Sequence, residues 1–462
     1  MSIRSFGSYA LGVVKQSFTI DARALTLFRF ILGSSVIIDL LLRSRNLSTF
    51  YGDGIYPLEN WIWSLSDWSL HALSSSLWFQ LFLFSLTAIC SLCFVLGFHP
   101  RLSGLLTFIL MLSLHNRNSL ILNSGDLLLL CLLLLSLFLP LHGSWSITRN
   151  RGHHKTTSWA TITILVQVLA VHFVSFYEKY GTSWSDGTAV IRVFNLPRLL
   201  TPLGRYFGEF EMLLGIGTYA WMVILAFTPA IVLLRGWLRS TYVYTLIASH
   251  FFLLLTMKLS VFPLVIISGL ILLLPSTSTL LRLVPGPNTT KRKAISDYTP
   301  SVRNALVLIL AALMVASLTN QVGFDGSQDV IATTSQTLGV TQYWGMFAPP
   351  PSYQHRYTAR GTLENGSQAD FINKGYSWDR QVTGKHHMFS TARWKKYMQS
   401  LTLLAEPGRR EYAEYLCNTW DANHDVHAQN LSVKRVKEHW QTGNQRTRVI
   451  VEQTPCSTLR RT

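Results

Sequence analysis

Charged residues are scarce in this sequence, where 23 acidic and 40 basic side chains make up 14% of 462 residues. Soluble domains usually carry about 25% charged residues, so this shortfall argues against an ordinary soluble fold. Hydrophobic residues account for 49% of the chain, and many lie in runs of membrane-span length. The net charge of +17 would suggest nucleic acid in a soluble protein. Here the basic residues fall largely between apolar runs, so we expect membrane lipid and no nucleic acid as a partner.

Fingerprints of common enzyme classes are also lacking. The sequence contains no Walker loop, GxSxG, HExxH or GxGxxG motif. Two histidine pairs, His386/His387 and His424/His427, match the spacing of no standard zinc site, and no cysteine is placed to complete one. We therefore predict no metal.

Cysteine is rare, with five residues in the chain. Cys90, Cys93 and Cys131 lie inside apolar runs, where cysteine usually packs as a small apolar side chain. Cys417 and Cys456 are the two in the polar C-terminal third. If that third faces an oxidising compartment, we expect them to form a disulfide.

The apolar runs predict about nine transmembrane helices, since roughly 20 apolar residues cross a bilayer. They lie near residues 24–43, 77–98, 102–116, 121–141, 158–178, 212–234, 241–257, 260–276 and 302–319. No signal peptide is evident, so we interpret the first run as a retained span.

Basic residues cluster in alternate loops of this nine-span topology. By the positive-inside rule those loops face the cytoplasm. The prediction is a multi-pass protein of the cell inner membrane with a cytoplasmic N-terminus and an extracytoplasmic C-terminal domain. The basic loop residues are Arg4, Lys15, Arg101, Arg149, Arg151, Lys155, Arg235, Arg239, Arg282, Lys291, Arg292 and Lys293.

The sequence changes character near residue 320, where long apolar runs end and alternation begins. Residues 354–372, with a turn at Asn365-Gly366, and residues 431–453, with a turn at 442–444, predict two hairpins. Residues 392–417 predict a helix broken at Pro407-Gly408. The predicted fold is therefore a mainly α-helical polytopic membrane domain, 1–319, followed by a small α+β domain, 320–462.

Ionisable residues inside predicted spans need an explanation, because charge in a bilayer is costly. Asp126 begins the fourth predicted span, where a carboxylate favours a helix N-terminus. Arg29 and Asp39 are nearly three helical turns apart on the first span, too far for a direct pair. We expect each to face the bundle interior and pair with another helix, as a structural support or in a catalytic role. A lone histidine such as His250 is more often a packing residue unless it lines a cavity.

In the stretch 171–187, VHFVSFYEKYGTSWSDG, Lys179 stands directly at the end of the fifth predicted span, 158–178. Lysine at a span end commonly extends its ammonium to the lipid headgroups. Glu178 beside it, and His172 and Gln167 within the same span, favour a functional site instead.

Four motifs resemble the vitamin K-dependent γ-glutamyl carboxylase superfamily, whose shared region is called the HTTM domain. The first span carries an FRF triplet at 28–30, Gly33 and Asp39, and the turn VLGFHPRLSGLL follows the second span. Lys179, Trp184 and Gly187 keep the spacing Lys-x4-Trp-x2-Gly. The fourth motif pairs His250 with the downstream Phe262-Pro263. The resemblance covers roughly residues 20–280.

This resemblance implies a membrane enzyme that carboxylates glutamate in a secreted peptide. The lysine at the position of Lys179 would be the base, and the co-substrates would be a reduced quinone (reduced vitamin K or menaquinol), oxygen and carbon dioxide. His250 would be a hydrogen-bond partner in the cavity, with Arg29 and Asp39 as supports inside the bundle. Asn118 stands at about the position of a second functional histidine, and His115 lies three residues before it.

The competing hypothesis is a non-enzymatic HTTM protein that binds or matures a secreted peptide or toxin. Lys179 would then only reach for the headgroups. Geometry distinguishes the two hypotheses: an enzyme needs Lys179 and His250 on one cavity, whereas a scaffold leaves them on unrelated surfaces.

Overall fold

Helices dominate this computed structural model, which describes residues 16–55, 64, 67–142, 145–148, 154–196, 199–286, 294–321, 328–372, 391–439 and 442–459. The helices up to residue 300 are α1 (Ala22–Ser44), α2 (Leu47–Tyr51), α3 (Leu77–Leu96), α4 (Pro100–Arg117), α5 (Ser124–Ser136), α6 (Trp159–Tyr177), α7 (Thr182–Ser185), α8 (Ala189–Phe194), α9 (Pro202–Gly208), α10 (Glu211–Ala226), α11 (Gly236–Thr256), α12 (Phe262–Ile271) and α13 (Thr279–Arg282). Beyond residue 300 follow α14 (Val302–Gln321), α15 (Gln328–Thr337), α16 (Ala392–Leu401) and α17 (Glu406–Asp421).

Four of the described helices are long and apolar enough to cross a membrane: α1, α3, α6 and α11. A fifth span results if α9 and α10, which meet at 97°, are counted together. The shorter apolar helices are α5, α12 and most of α14. A helix stands within each of the nine predicted segments, but length and composition qualify only four or five of them as spans. The chain is therefore a membrane-type helical protein, and the count of nine remains a prediction.

Polar side chains cap α1 and α5. The Asp21 carboxylate accepts from the backbone N–H of Arg23 at 2.9 Å and starts α1. Asn123 and Asp126 form a capping box at the start of α5. Capping satisfies backbone N–H groups that lack a partner in the first helical turn. Asp126 is thus placed at a helix N-terminus, as its position in the sequence indicates.

A small sheet joins three segments predicted to lie on one side of the membrane. Its strands are β1 (Ile20–Asp21), β2 (Lys155–Ser158) and β3 (Ala294–Asp297), in the order β1-β2-β3. β2 pairs antiparallel with β1 and parallel with β3. These strands border α1, α6 and α14 in sequence, so the start of each of those helices is held at the same end of the bundle.

The C-terminal unit is an antiparallel sheet covered by α16 and α17. Its strands are β4 (Tyr353–Leu363), β5 (Gln368–Asp370), β6 (Ala428–His439) and β7 (Gln445–Pro455), in the order β5-β4-β6-β7. Both predicted hairpins are confirmed, with Gly366 and Gly443 at positive φ in their turns. The predicted disulfide between Cys417 and Cys456 is also present, joining α17 to the end of β7.

The predicted helix at 392–417 is broken earlier than expected. α16 ends at Leu401 and α17 begins at Glu406, so Pro407 lies in the first turn of the second helix. Proline is tolerated there because first-turn backbone nitrogens have no helical acceptor in any case. The break therefore precedes Pro407.

Candidate functional site

A cavity of about 630 Å³ lies between α6, α10, α11, the start of α12 and residues 344–347. This volume is within the usual range of small-molecule sites. Its walls are mostly apolar and include Phe194, Phe252, Leu253 and Phe347. The polar side chains on the lining are His172, Ser175, Lys179, Thr245, Ser249 and His250, together with the indoles of Trp184, Trp221 and Trp344.

Lys179 reaches this cavity from just beyond the end of α6. Its side chain is buried, and the residue is 7% exposed. The ammonium donates to the Ser175 carbonyl at 3.1 Å, the Ser175 hydroxyl at 2.7 Å and the Met346 carbonyl at 3.3 Å. Burial lowers the pKa of Lys179 to about 8, and the negative charge of Glu178 opposes that shift. A lysine held this way does not extend to the headgroups.

The Lys-x4-Trp-x2-Gly spacing has a geometric basis. The chain turns at Gly181, and the short α7 returns the indole of Trp184 beneath Lys179, with Nζ 5.1 Å from the ring centroid. The indole N–H donates to the Phe347 carbonyl at 3.0 Å. Gly187 follows at φ +79, where an added Cβ would stand 2.8 Å from the ring of Tyr219. Only glycine fits that turn without displacing the tyrosine.

Residues 342–347 close one side of the cavity and come from the connection to the C-terminal unit. The amide of Gln342 pairs with that of Gln167 on α6, with Nε2 of Gln167 2.6 Å from Oε1 of Gln342. The same oxygen accepts from the Trp344 indole at 2.9 Å. The role of this segment in the cavity wall was missed from the sequence. The signal available was a polar Gln167 inside an apolar span.

His250 lies opposite on α11 and lines the same cavity. Its ring meets that of His172 edge to face, with centroids 5.3 Å apart. Phe262, from the predicted Phe262-Pro263 motif, packs 6.1 Å from the His250 ring centroid. The structure thus brings Lys179, His250 and Trp184 together, and it adds His172, which sequence reasoning had not singled out as a site residue.

The supporting residues Arg29 and Asp39 lie in the bundle interior, both fully buried, but their partners differ from expectation. Arg29 donates to the carbonyls of Leu141 at 2.7 Å and Trp145 at 2.9 Å, so among the described residues it binds a loop rather than a second helix. Asp39 binds Arg43 one turn along α1, at 2.6 Å. The expectation of partners on other helices was therefore wrong for Arg29.

The second partner of Asp39 is Arg393, from α16 in the C-terminal unit, at 2.6 Å. Asp126 also binds both arginines, with Arg43 at 2.7 Å and Arg393 through both of its carboxylate oxygens. Two buried carboxylates and two buried guanidinium groups thus balance in charge, as burial of ions requires. This network anchors the C-terminal unit to the helical bundle.

Asp39, His115 and Asp126 offer oxygen and nitrogen atoms within 4.8 Å of one another, which is close enough to hold a metal ion. The two guanidinium groups already occupy those carboxylate oxygens. A cation would have to displace Arg43 and Arg393, so the donor set does not fit a metal.

Asn118 does not line the cavity. Its side-chain amide donates to the Phe50 carbonyl at 3.2 Å, on the side of the bundle that carries the arginine network. His115 is likewise next to Asp126, 3.8 Å away. The histidine position implied by the resemblance is therefore not filled from α4; the second imidazole in this cavity is His172.

No family model, curated protein or solved structure matches this chain significantly. We therefore infer the function from the geometry of the cavity and from the motifs in the sequence.

Proposed function

We propose that this protein is an integral membrane enzyme of the vitamin K-dependent γ-glutamyl carboxylase type, with Lys179 as its base. It would use a reduced quinone, oxygen and carbon dioxide to carboxylate glutamate in a peptide. The observation that carries the proposal is that Lys179 and His250 line one largely apolar cavity. Such a cavity suits a lipid-soluble aromatic ring held by a few polar groups.

The burial of Lys179 favours this function over the scaffold alternative. A lysine that only reaches for headgroups keeps its ammonium in water, but Lys179 is 7% exposed and its ammonium bonds to protein oxygens. Burying an amine without a carboxylate partner costs free energy, and in enzymes that cost is commonly used to make the neutral form available.

Lysine acts as a base only when it is neutral. With its pKa lowered to about 8, roughly a tenth of the Lys179 side chains are neutral at pH 7. That amine can accept a hydroxyl proton from a ring bound in the cavity, while Ser175 and Met346 keep Nζ in place. When bound, a reduced quinone reacting with oxygen supplies the strong base that takes a γ-proton from glutamate, and carbon dioxide adds to the carbanion.

The β6–β7 hairpin supports an acidic peptide as partner. Arg435 lies opposite Arg448, and Lys437 opposite Arg446, on one face of the sheet. Like charges directly opposite each other destabilise a sheet, unless an anion lies between them. A peptide rich in glutamate supplies that negative charge.

The proposed placement is a multi-pass protein of the cell inner membrane with nine spans and a cytoplasmic N-terminus. Alternate basic loops support it. The disulfide between Cys417 and Cys456 supports an oxidising, extracytoplasmic location for the C-terminal unit.

The test is incorporation of labelled bicarbonate into glutamate-containing peptides by the purified chain in nanodiscs. Reduced vitamin K or menaquinol would be supplied with oxygen. Incorporation that requires the quinol supports the proposal. Quinol oxidation without incorporation would indicate that the reaction acts on an acceptor other than glutamate. The absence of both quinol oxidation and incorporation in folded protein would favour the scaffold alternative.

A further inference from the structure

His172 and His250 are the two imidazoles of the cavity, and both are almost completely buried, at 2% and 3% exposure. In each ring Nδ1 lies 2.9 Å from the backbone carbonyl four residues earlier, Val168 for His172 and Leu246 for His250. A carbonyl oxygen can only accept a hydrogen bond. Nδ1 must therefore carry the proton in both rings.

The tautomer fixes the role of the other nitrogen. In a neutral imidazole with its proton on Nδ1, Nε2 carries the lone pair and is an acceptor. Two charged rings 5.3 Å apart in an apolar wall would repel each other without screening by water. The neutral form, with Nε2 as an acceptor, is the one that this packing allows.

Nε2 of His172 is buried without a hydrogen-bond partner within the part of the chain that the structure describes. The one hydrogen bond of the His250 ring among those residues is made by Nδ1, so its Nε2 is also available to a ligand. Two acceptors cannot satisfy each other. A buried polar atom without a partner is costly, and in native structures such atoms usually meet water or a ligand. The cavity therefore presents two acceptors to whatever occupies it.

Most hydrogen-bond donors on the lining are already used. The Lys179 ammonium donates to Ser175 and Met346. The hydroxyls of Thr245 and Ser249 donate to the backbone carbonyls of Thr241 and Thr245. The indoles of Trp184 and Trp344 donate to the Phe347 carbonyl and the Gln342 side chain. A ligand that brings hydroxyl hydrogens is thus matched, whereas one that brings only carbonyl oxygens finds few donors.

We propose that His172 and His250 form an acceptor pair that selects the hydroquinone form of the ligand over the quinone and makes His172 a binding residue. This inference rests on the proposed function, because it takes the ligand to be a quinol. On binding, a reduced ring donates its hydroxyl hydrogens to the imidazoles, before one of these protons passes to Lys179. The oxidised ring has lost those hydrogens, so it binds weakly and leaves the cavity free for the next reduced molecule.

The test is ligand binding without turnover, followed by quenching of tryptophan emission, since Trp184, Trp221 and Trp344 line the cavity. The full chain in nanodiscs would be titrated without oxygen with 2-methyl-1,4-naphthohydroquinone, its 1,4-dimethyl ether and the corresponding quinone. The ether keeps the ring and loses both hydroxyl hydrogens. We expect the hydroquinone to bind at least about tenfold tighter than either other probe.

His172→Phe and His250→Phe would each reduce that preference by about fivefold, and the double variant would abolish it. His427→Phe, an exposed histidine of the C-terminal unit, is the matched control and would keep the preference. Equal binding of the hydroquinone and its ether to the wild-type chain would overturn the inference, even if a histidine variant fails to fold.

Binding and turnover separate this inference from the function on which it rests. Selective binding of the hydroquinone without carboxylation would refute the proposed function and leave the acceptor pair in place. Carboxylation without selective binding of the hydroquinone would support the proposed function and refute the acceptor pair.

Discussion

Arg393 of the C-terminal unit donates to both carboxylate oxygens of Asp126 at the start of α5, and to Asp39 on α1. All three residues are buried. One side chain thus joins the C-terminal unit to two helices of the bundle. The connection that leads into that unit supplies the carbonyl of Met346 to Lys179 and that of Phe347 to Trp184. The position of the cavity wall therefore depends on how the C-terminal unit is docked.

We predict that Arg393→Met destabilises the protein by about 3–5 kcal/mol, because it leaves the carboxylates of Asp39 and Asp126 with only Arg43. Thermal unfolding of purified protein measures the effect. Arg410→Met is the control, since its ion pair with Glu406 is exposed and worth little. Equal midpoints for the two variants would show that the buried network does not hold the C-terminal unit.

Lys179 makes stability depend on pH in a defined direction. Its pKa falls from 10.5 in the unfolded chain to about 8 in the fold. Between those values the unfolded chain binds a proton that the folded chain does not, so stability rises with pH from about 8 to 10.5. Below pH 8 the buried charge costs on the order of 3 kcal/mol.

Lys179→Met removes that cost. We expect the midpoint of thermal unfolding of this variant to lie above that of the wild type at pH 7. The difference between the two midpoints should shrink as pH rises toward 10. A lower midpoint for Lys179→Met at pH 7 would show that the three hydrogen bonds of the ammonium outweigh its desolvation.

Gly187 and Gly181 both have positive φ, but only Gly187 faces a neighbour. Gly181 has φ +95 and ψ +165, a conformation almost confined to glycine, so Gly181→Ala measures the backbone strain alone, about 1–3 kcal/mol. Gly187→Ala adds a contact with Tyr219 and should destabilise more and displace Trp184. The change in total tryptophan emission and the midpoint of thermal unfolding report both effects. If the two variants behave alike, the contact with Tyr219 is not what requires glycine.

The basic face of the β6–β7 hairpin should bind peptide. Reversing Arg446 and Arg448 to Glu would raise the peptide KM severalfold with little change in kcat, and the effect would weaken as salt screens the charges. Lys434→Glu is the control, because Lys434 is exposed and projects from the opposite face of the same hairpin. A KM that rises equally in the control would mean that net charge alone attracts the peptide.

The sequence was most informative where the signal is local. The Lys179, Trp184 and Gly187 spacing, the hairpin turns and the pair Cys417 and Cys456 each depend on few residues. Long-range contacts were missed, since nothing local links Asp39 to Arg393, which lies 354 residues away. A partner of opposite charge could still be expected, because carboxylates buried in the bundle need cations. Arg43 lies four residues after Asp39, which is the spacing of neighbouring side chains on a helix.

The membrane topology was harder to predict for a related reason. Apolar runs indicate where helices form, and each predicted segment contains one, but α5 and α12 are shorter than a bilayer requires. Apolar composition does not separate a short buried helix from a span. The role of His172 in the cavity was missed because it depends on the contact with His250 on another helix.

The central claim is that neutral Lys179 is the base, and the pH profile of peptide carboxylation tests it most directly. Labelled bicarbonate would be incorporated by the wild type, Lys179→Ala and the exposed-lysine control Lys155→Ala, each with saturating reduced quinone. We predict that the wild type and Lys155→Ala gain activity as pH rises toward and through about 8, while Lys179→Ala loses at least about 100-fold at every pH. Carboxylation by Lys179→Ala at the wild-type rate would contradict the account.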